Sequence, residues 1–181
     1  MDGLADWADS FGALGDVQRR LAIMKDTALG TFGVIALILI LLAKWIVFER
    51  LCVFGTVIWI LPVFVLSRAV MVELAVALPY ARKEGGTGEP FVMEASRTHR
   101  RNSRLFCLVF CFLYGPGGLI LLLMALIFAW VYGVKAKQRF GGITGDLLGA
   151  ANELTEIILL LMCALPGSVL NGYTAWNWLF N

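Results

Sequence analysis

Three aspartates at the start of the chain have the spacing of one helix face. Asp2, Asp6 and Asp9 are separated by four and then three residues, so in a helix their side chains point in the same direction. Like charges at this spacing repel one another. A divalent cation would reverse that balance, because Mg²⁺ is bound by one or two carboxylates together with substrate phosphates. The pattern therefore has two interpretations, a solvated acidic segment or a magnesium site that serves a phosphorylated ligand.

A second acidic stripe lies near the end of the chain. Asp146, Gly149, Glu153 and Glu156 recur at helical spacing at the start of an apolar segment. Carboxylates at membrane depth are costly, so such residues usually have a function or a specific partner. We expect either a role in a polar site or hydrogen bonds between helices.

The long polar segment at 79–104 contains a glycine-rich stretch. Gly86 and Gly88 come shortly after Arg82 and Lys83, and backbone N–H groups of such a loop can surround a phosphate. A flexible turn is the alternative interpretation. The loop is a candidate phosphate clamp.

Two ionisable residues interrupt a long apolar segment. Arg68 and Glu73 are five residues apart, so they point to different helix faces and we expect their partners to come from other segments. A charge at membrane depth usually faces the bundle interior or a polar cavity. Arg68 is therefore interpreted either as part of a structural salt bridge or as a phosphate-binding residue.

The elements that must position these residues are membrane helices. The chain has 181 residues, of which 60% are hydrophobic, and a net charge of +2. This composition exceeds what a soluble domain requires and predicts an all-α, polytopic membrane protein with about five membrane helices. Lys44 is expected to extend to the interface, and Pro62 to kink its helix. The predicted segments are an amphipathic helix at 17–26, spans at about 31–48 and 51–78, a hairpin of helices at 105–114 and 119–134 around Gly115–Gly118, and a last span ending near 165.

The distribution of basic residues predicts the orientation. With the hairpin, the segments 1–30, 79–104 and 135–146 lie on one side of the membrane and carry twelve of the fifteen lysines and arginines. The positive-inside rule makes this side cytoplasmic. We expect a single membrane domain over 1–181, made of a motif region at 1–30, a bundle at 31–165 and an interfacial tail at 166–181 that carries Tyr173, Trp176 and Trp178.

Two acidic faces and two basic segments on one side of the membrane indicate phosphoryl-group transfer, in which carboxylates bind metal and basic residues bind phosphate. A Ser-His-Asp or Cys-His arrangement is not expected, because His99 is the only histidine. The alternatives are a CDP-alcohol phosphotransferase-like enzyme, a small transporter, and a non-catalytic membrane subunit.

Four sequence strings together resemble one family. They are DGLADWAD at 2–9, LAIMKD at 21–26 followed by GTFG at 30–33, YARKEGGTGEPF at 80–91, and FGGITGDLLGAANELTE at 140–156. In order and spacing they are similar to the cobalamin synthase family (adenosylcobinamide-GDP ribazoletransferase), over essentially all of residues 1–165. Members of that family normally have further spans before the first string, so we expect this chain to lack those N-terminal spans.

The resemblance implies a reaction and its partners. The 3′-hydroxyl of α-ribazole, or of its 5′-phosphate, attacks the cobinamide-side phosphate of adenosylcobinamide-GDP and GMP leaves. It implies a Mg²⁺-dependent, multi-pass protein of the cell inner membrane whose active face is cytoplasmic. Its partners are these two substrates and the lipid bilayer, with homo-oligomerisation left open and no role for nucleic acid.

The resemblance also implies roles for matched positions. Asp2, Asp6 and Asp9 would bind Mg²⁺, Lys25 would neutralise phosphate charge, and Asp26 would act on metal or on the attacking hydroxyl. Asp146 would complete the metal site or act as the base. The substrate- and phosphate-binding positions would be Arg82, Gly86, Gly88, Thr144 and Glu153, to which Arg68 is added from its place in the apolar sequence.

Overall fold

The computed structural model describes residues 1–13, 16–26, 28–82 and 84–173. Its regular elements are helical, which confirms the predicted all-α class, and an isolated parallel β-bridge joins Tyr80 to Ile143. The helices are α1 (Asp2–Asp9), α2 (Val17–Ile23), α3 (Thr31–Val53), α4 (Ile60–Ala77), α5 (Glu89–Glu94), α6 (Arg97–Leu113), α7 (Pro116–Phe140) and α8 (Gly145–Ala164), with short 3₁₀ turns at Ser10–Gly12, Val57–Trp59 and Gly167–Tyr173.

Within the described ranges, four helical segments are long and apolar enough to cross a bilayer: Thr31–Val53, Val57–Ala77, Pro116–Phe140 and Gly145–Ala164. This confirms a multi-pass membrane protein, although the sequence predicted about five such helices. The difference is α6, whose first half carries arginines and whose apolar part is restricted to about 105–113. Side chains on the outer surface of α3, such as Leu39 and Trp45, are exposed and suit contact with lipid.

Helix α8 lies at the centre of the bundle. It packs against α1, α3, α4 and α7, and Leu147, Leu148, Leu159 and Leu160 on it are almost fully buried. Because four helices surround α8, most of its side chains must be apolar or small. Adjacent residues such as Ala150 and Ala151 are therefore both buried, and its apolar residues are not confined to one stripe.

The predicted break between α6 and α7 is confirmed. Gly115 adopts a φ of 78°, which favours glycine. A Cβ at Gly118 would lie 2.3 Å from the carbonyl oxygen of Cys111, so only glycine lets the two helices meet this closely. The hairpin brings α6 back beside α7 and α4.

Two details of the predicted spans are wrong. Pro62 does not kink α4, because it lies in the first turn, where the missing N–H needs no intrahelical partner; the chain turns instead at Gly55, with a φ of 66°. Lys44 does not extend to the interface. Its Nζ donates to Glu153 and Glu156 at 2.6 Å each, because two carboxylates inside the bundle attract the cation more strongly than distant headgroups. The predicted tail residues Trp176 and Trp178 and the loop residue Lys83 lie outside the described residues, and so does part of the turn before α2, at positions 14 and 15.

Candidate active site

The first helix is held in a groove between α3 and α8. A Cβ at Gly3 would lie 2.4 Å from the backbone oxygen of Asp146, and one at Gly33 would lie 3.1 Å from the carbonyl oxygen of Ala5. The bare glycines therefore allow the backbone of α1 to touch both neighbouring helices. This close packing places the acidic face of α1 beside the first turn of α8.

Asp6 is the electrostatic centre of the site. Burial first, and then the negative charges of Asp2, Asp146 and Asp9, raise the pKa of its carboxyl from 3.8 to about 6, whereas Arg82 opposes the shift. The prediction that these residues form a helix is confirmed by α1. The folded chain thus concentrates more negative charge around Asp6 than Arg82 neutralises.

Arg82 joins three parts of the chain that are distant in sequence. Its Nη2 donates to Oδ2 of Asp146 at 2.7 Å and to the carbonyl oxygen of Met24 at 3.2 Å. Two backbone hydrogen bonds fix this position: Ala81 N–H donates to the oxygen of Ile143, and Ile143 N–H donates to the oxygen of Pro79, both at 2.9 Å. A Cβ at 142 would lie 2.2 Å from that Pro79 oxygen, so the pairing requires Gly142.

The glycine-rich loop packs on the start of α8. Gly85 has a φ of 80°, and a Cβ at Gly88 would lie 2.6 Å from the Cα of Gly145. The N–H of Glu89 then closes the turn by donating to the oxygen of Gly86 at 2.9 Å. The structure therefore brings the loop predicted to bind phosphate next to the turn that carries Asp146.

Lys25 and Asp26 lie at the exposed rim. Nζ of Lys25 is 2.8 Å from Oε2 of Glu84, and this contact lowers the pKa of the Glu84 carboxyl. Asp26 accepts a hydrogen bond from the N–H of Ala28 at 3.0 Å. Lys25 borders a groove of about 380 Å³, which Arg82 also lines. The predicted basic and acidic residues of this segment are therefore at the entrance, on the side of Arg82.

Asp9 and Thr144, which were predicted to bind metal and substrate, form hydrogen bonds to the starts of helices. Both carboxylate oxygens of Asp9 accept hydrogen bonds at 2.8 Å, from the N–H groups of Gly30 and Gly33 at the start of α3. Thr144 is fully buried, and its hydroxyl caps α8 by accepting from Leu147 N–H at 3.2 Å. Their assignments to metal and substrate stay predictions, but the geometry gives both residues the task of starting a helix.

Glu153 and Arg68 are not brought to this site. Glu153 is about two turns further along α8 than Asp146, where it pairs with Lys44 and lies 3.5 Å from the N-terminal amine of Met1. Arg68 donates to Asn152 and lies 3.6 Å from Glu156, inside the span and about 15 Å along α4 from its end. The partners of Arg68 come from another segment, as predicted, and Glu73 likewise binds Arg104 of α6 at 2.6 Å.

Two residues of this region were missed by sequence reasoning. Tyr80 places its hydroxyl close to Gly86, at 2.5 Å from where a Cβ would be; its only signal was its place in the string before Arg82. Lys44 neutralises the two glutamates of α8. The signal for Lys44 was that two carboxylates within a span, Glu153 and Glu156, require a cation nearby.

Asp2, Asp6 and Asp146 are the carboxylates that could bind Mg²⁺ together with a phosphorylated ligand. In the part of the chain that the structure describes, no group of three or more His, Cys, Asp and Glu side chains is arranged to hold a metal ion. Burial is the main cause of the raised pKa of Asp6, and the negative charges of Asp2 and Asp146 add to it. One or two of these carboxylates would be sufficient to hold the ion together with phosphate oxygens and water.

Comparisons with known proteins agree on one family. The family model described as cobalamin-5-phosphate synthase matches residues 1–164. A relative from Chlorobium phaeovibrioides, named adenosylcobinamide-GDP ribazoletransferase, is 44% identical over 88% of this chain and 66% of its own length. Relatives with the same name from Chlorobium chlorochromatii (41% identical, 91% of the chain, 67% of the relative) and Syntrophobacter fumaroxidans (40%, 91% and 66%) also match. The chain therefore spans about two thirds of the length of these curated relatives. No solved structure matches it.

Proposed function

The chain belongs to the cobalamin-5-phosphate synthase family, and we propose that it acts as a membrane transferase in the assembly of the cobalamin nucleotide loop. The proposed substrates are adenosylcobinamide-GDP and α-ribazole or its 5′-phosphate. The name shared by relatives that are 40–44% identical supports this substrate pair.

The proposed reaction is a phosphoryl-group transfer. The ribose 3′-hydroxyl oxygen forms a bond to the cobinamide-side phosphorus, and the bond from that phosphorus to the GMP oxygen breaks. The hydroxyl proton passes to a carboxylate, and GMP leaves with the electron pair. A site for this reaction needs positive charge against the diphosphate and a carboxylate near the attacking hydroxyl.

The observation that carries the proposal is the convergence of Asp6, Asp146 and Arg82 from three distant segments. Arg82 is held by Asp146 and by the carbonyl of Met24, with part of its guanidinium left to contact phosphate. Asp6, whose pKa is raised to about 6, brings a carboxylate whose charge a bound cation would neutralise. Lys25 at the rim adds a cation that attracts the anionic substrate.

Magnesium fits the same residues. Asp6, with Asp2 and Asp146, would hold the ion in the proposed enzyme. When bound, Mg²⁺ supplies charge neutralisation on the diphosphate and on the leaving GMP. The chain's own contribution is to keep these carboxylates together, through the close packing of Gly3 on α8.

We further propose that the protein resides in the inner membrane with this site on the cytoplasmic side. The four apolar helices support a multi-pass protein. The site lies where α1, α2, the 79–88 segment and the start of α8 meet, among the segments that carry most of the lysines and arginines, as the positive-inside rule requires of a cytoplasmic face.

The test is the release of GMP from adenosylcobinamide-GDP and α-ribazole 5′-phosphate by the purified chain in liposomes, with and without Mg²⁺. Wild type is expected to release GMP only with Mg²⁺, and Asp6→Asn is expected to lose that release. Glu49→Gln is the matched control, because this exposed carboxylate lies near the other end of α3. Release that is independent of Mg²⁺, or equal in wild type and Asp6→Asn, would contradict the proposed site. If wild type releases no GMP at all, the proposed function of this chain is wrong.

A further inference from the structure

The O–H of Tyr80 is a shielded donor without an acceptor in the described ranges, because Arg82, which interacts with its oxygen, can only donate. Its oxygen is inaccessible to solvent although the residue as a whole is partly exposed. The ordinary expectation is that a shielded hydroxyl donates or accepts a hydrogen bond, since leaving one unpaired costs about 1–3 kcal/mol. This hydroxyl therefore needs an explanation.

The position of Tyr80 is determined by the backbone and not by chance. The residue is in the parallel bridge with Ile143, and the hydrogen bonds of Ala81 and Pro79 to Ile143 hold the segment on both sides. Tyr80 cannot rotate its backbone without breaking the pairing that also places Arg82. The backbone pairing with Ile143 thus positions both the Tyr80 hydroxyl and the Arg82 guanidinium in the candidate active site.

Charged groups of both signs surround the hydroxyl. Arg82, Glu89 and Asp146 all act on it electrostatically, and burial is the main cause that raises the pKa of Tyr80 above its usual value. The hydroxyl therefore stays protonated and can donate. Gly86, an exposed residue with no side chain, lies against it, since a Cβ there would be 2.5 Å from the oxygen.

A second donor beside it is also unpaired in the described part of the chain. Nε of Arg82 is shielded and has no partner, while the other end of this guanidinium is bound to Asp146 and Met24. The O–H of Tyr80 and the Nε–H of Arg82 both lack an acceptor. A ligand group that only accepts hydrogen bonds could bind both donors. Phosphate oxygens have this property, and the guanidinium binds them through charge-assisted hydrogen bonds.

We propose that Tyr80 is a substrate-contacting residue, whose hydroxyl donates a hydrogen bond to a phosphate oxygen of a diphosphate ligand held beside Arg82. The identity of that ligand as the diphosphate of adenosylcobinamide-GDP rests on the proposed function. The contact itself concerns only the diphosphate class, so it can be tested without turnover.

The test compares wild type with Tyr80→Phe, which removes the donor and keeps the ring. Affinity for inorganic pyrophosphate with Mg²⁺ is measured by calorimetry on protein in nanodiscs, and the apparent melting temperature of the ligand-free protein is measured alongside. We expect Tyr80→Phe to bind pyrophosphate about tenfold more weakly, as the loss of one hydrogen bond to a charged group predicts, with a melting temperature equal to or above that of wild type. The control is Tyr114→Phe, because the Tyr114 hydroxyl contacts the oxygen of Ile58 near the start of α4, at the opposite end from the site.

A second variant tests the same space independently. Gly86→Ala places a methyl group against the hydroxyl, so it should also weaken pyrophosphate binding by about tenfold or more. Unchanged affinity in Tyr80→Phe would overturn the proposal. A lower melting temperature in Tyr80→Phe would show a structural hydroxyl and would overturn it as well.

The two proposals fail in different ways. If wild type binds pyrophosphate in a Tyr80-dependent manner but releases no GMP, the diphosphate contact stands and the proposed transferase function is wrong. If wild type releases GMP and Tyr80→Phe binds pyrophosphate as tightly as wild type, the function stands and the Tyr80 contact is wrong.

Discussion

The substitution Asp6→Asn should stabilise the metal-free protein while it abolishes the proposed activity. In the folded chain the pKa of the Asp6 carboxyl is raised from 3.8 to about 6, by burial first and then by Asp2 and Asp146. The charged carboxylate is therefore unfavourable in the folded state at neutral pH. Asparagine has the same shape and carries no charge, so the substitution removes this cost.

The magnitude follows from the two pKa values. The difference between 3.8 and about 6 corresponds to about 3 kcal/mol at pH values above both. Because Asp6 is partly exposed, solvent screening reduces the expected gain in unfolding free energy to about 1–2 kcal/mol. For a chain of this size that gain raises the melting temperature by roughly 2–8 °C.

The pH dependence has a definite sign. Below about pH 4 the carboxyl is protonated in both the folded and the unfolded chain, so wild type and Asp6→Asn should be equally stable. As the pH rises from about 4 to 6, the unfolded chain loses its proton first and wild type loses stability relative to the variant. Above about pH 6.5 the difference should be constant.

The assay is thermal unfolding in detergent with EDTA, from pH 4.5 to 8, followed by intrinsic fluorescence. Glu49→Gln serves as the control for loss of an exposed carboxylate. Added Mg²⁺ should raise the melting temperature of wild type more than that of Asp6→Asn, because bound ion stabilises the folded state in proportion to its affinity. A variant that is less stable than wild type at pH 7.5, or a stability difference that does not change with pH, would refute the reasoning.

Three further predictions concern the packing and the polar contacts. Gly3→Val should destabilise the fold by about 2–3 kcal/mol in detergent unfolding, because its Cβ would be 2.4 Å from the backbone of α8; Gly149→Ala, with ordinary 3.8 Å clearance, should change stability by less than about 0.5 kcal/mol. Lys44→Met should cost about 3–5 kcal/mol because it removes the shortest ion pair of each of two carboxylates in the bundle. Adding Glu153→Gln should recover part of that loss. Arg82→Lys should reduce GMP release about tenfold or more with little loss of stability, since a single ammonium cannot reproduce the fork of contacts; full activity would exclude a role for the guanidinium geometry.

Local sequence patterns predicted most of the helices and their order, but not α5, which lies within the polar 79–104 segment. The 3.6-residue spacing of Asp2, Asp6 and Asp9 predicted α1, and the Gly115–Gly118 run predicted the break between α6 and α7. These features depend on residues close to one another in the chain. The resemblance of four strings to one family likewise needed no structure, and the family comparison confirmed it.

The sequence predicted about five spans and a kink at Pro62, and both predictions were wrong. Apolar length alone made Leu105–Tyr114 a separate span, whereas the helix starts at Arg97 and carries its charges with it. Proline predicted a kink because its position relative to the helix start cannot be read from composition. A shift of the boundary by a few residues moves Pro62 into the first turn, where it is tolerated.

The division of the acidic residues was decided by tertiary structure. In sequence, Asp146, Glu153 and Glu156 form one stripe, but α8 is long enough to cross two environments. Its first turn meets Arg82 and Asp6, and the later turns meet Lys44. The tasks of Asp9 and Thr144 as helix caps were likewise invisible, because their partners depend on how the elements pack.

The amino-acid sequence alone therefore determined that the chain is helical, lies in a membrane and carries carboxylates and cations suited to phosphate chemistry, because composition and helical periodicity are local properties. Only the tertiary structure decided which of these residues meet. Arg82 reaches Asp146 across 64 positions, and does so because backbone pairing with Ile143 and bare glycines at 3, 88 and 142 allow four segments to approach within van der Waals contact. Close approach between distant segments is a property of packing, and no spacing within a single segment encodes it.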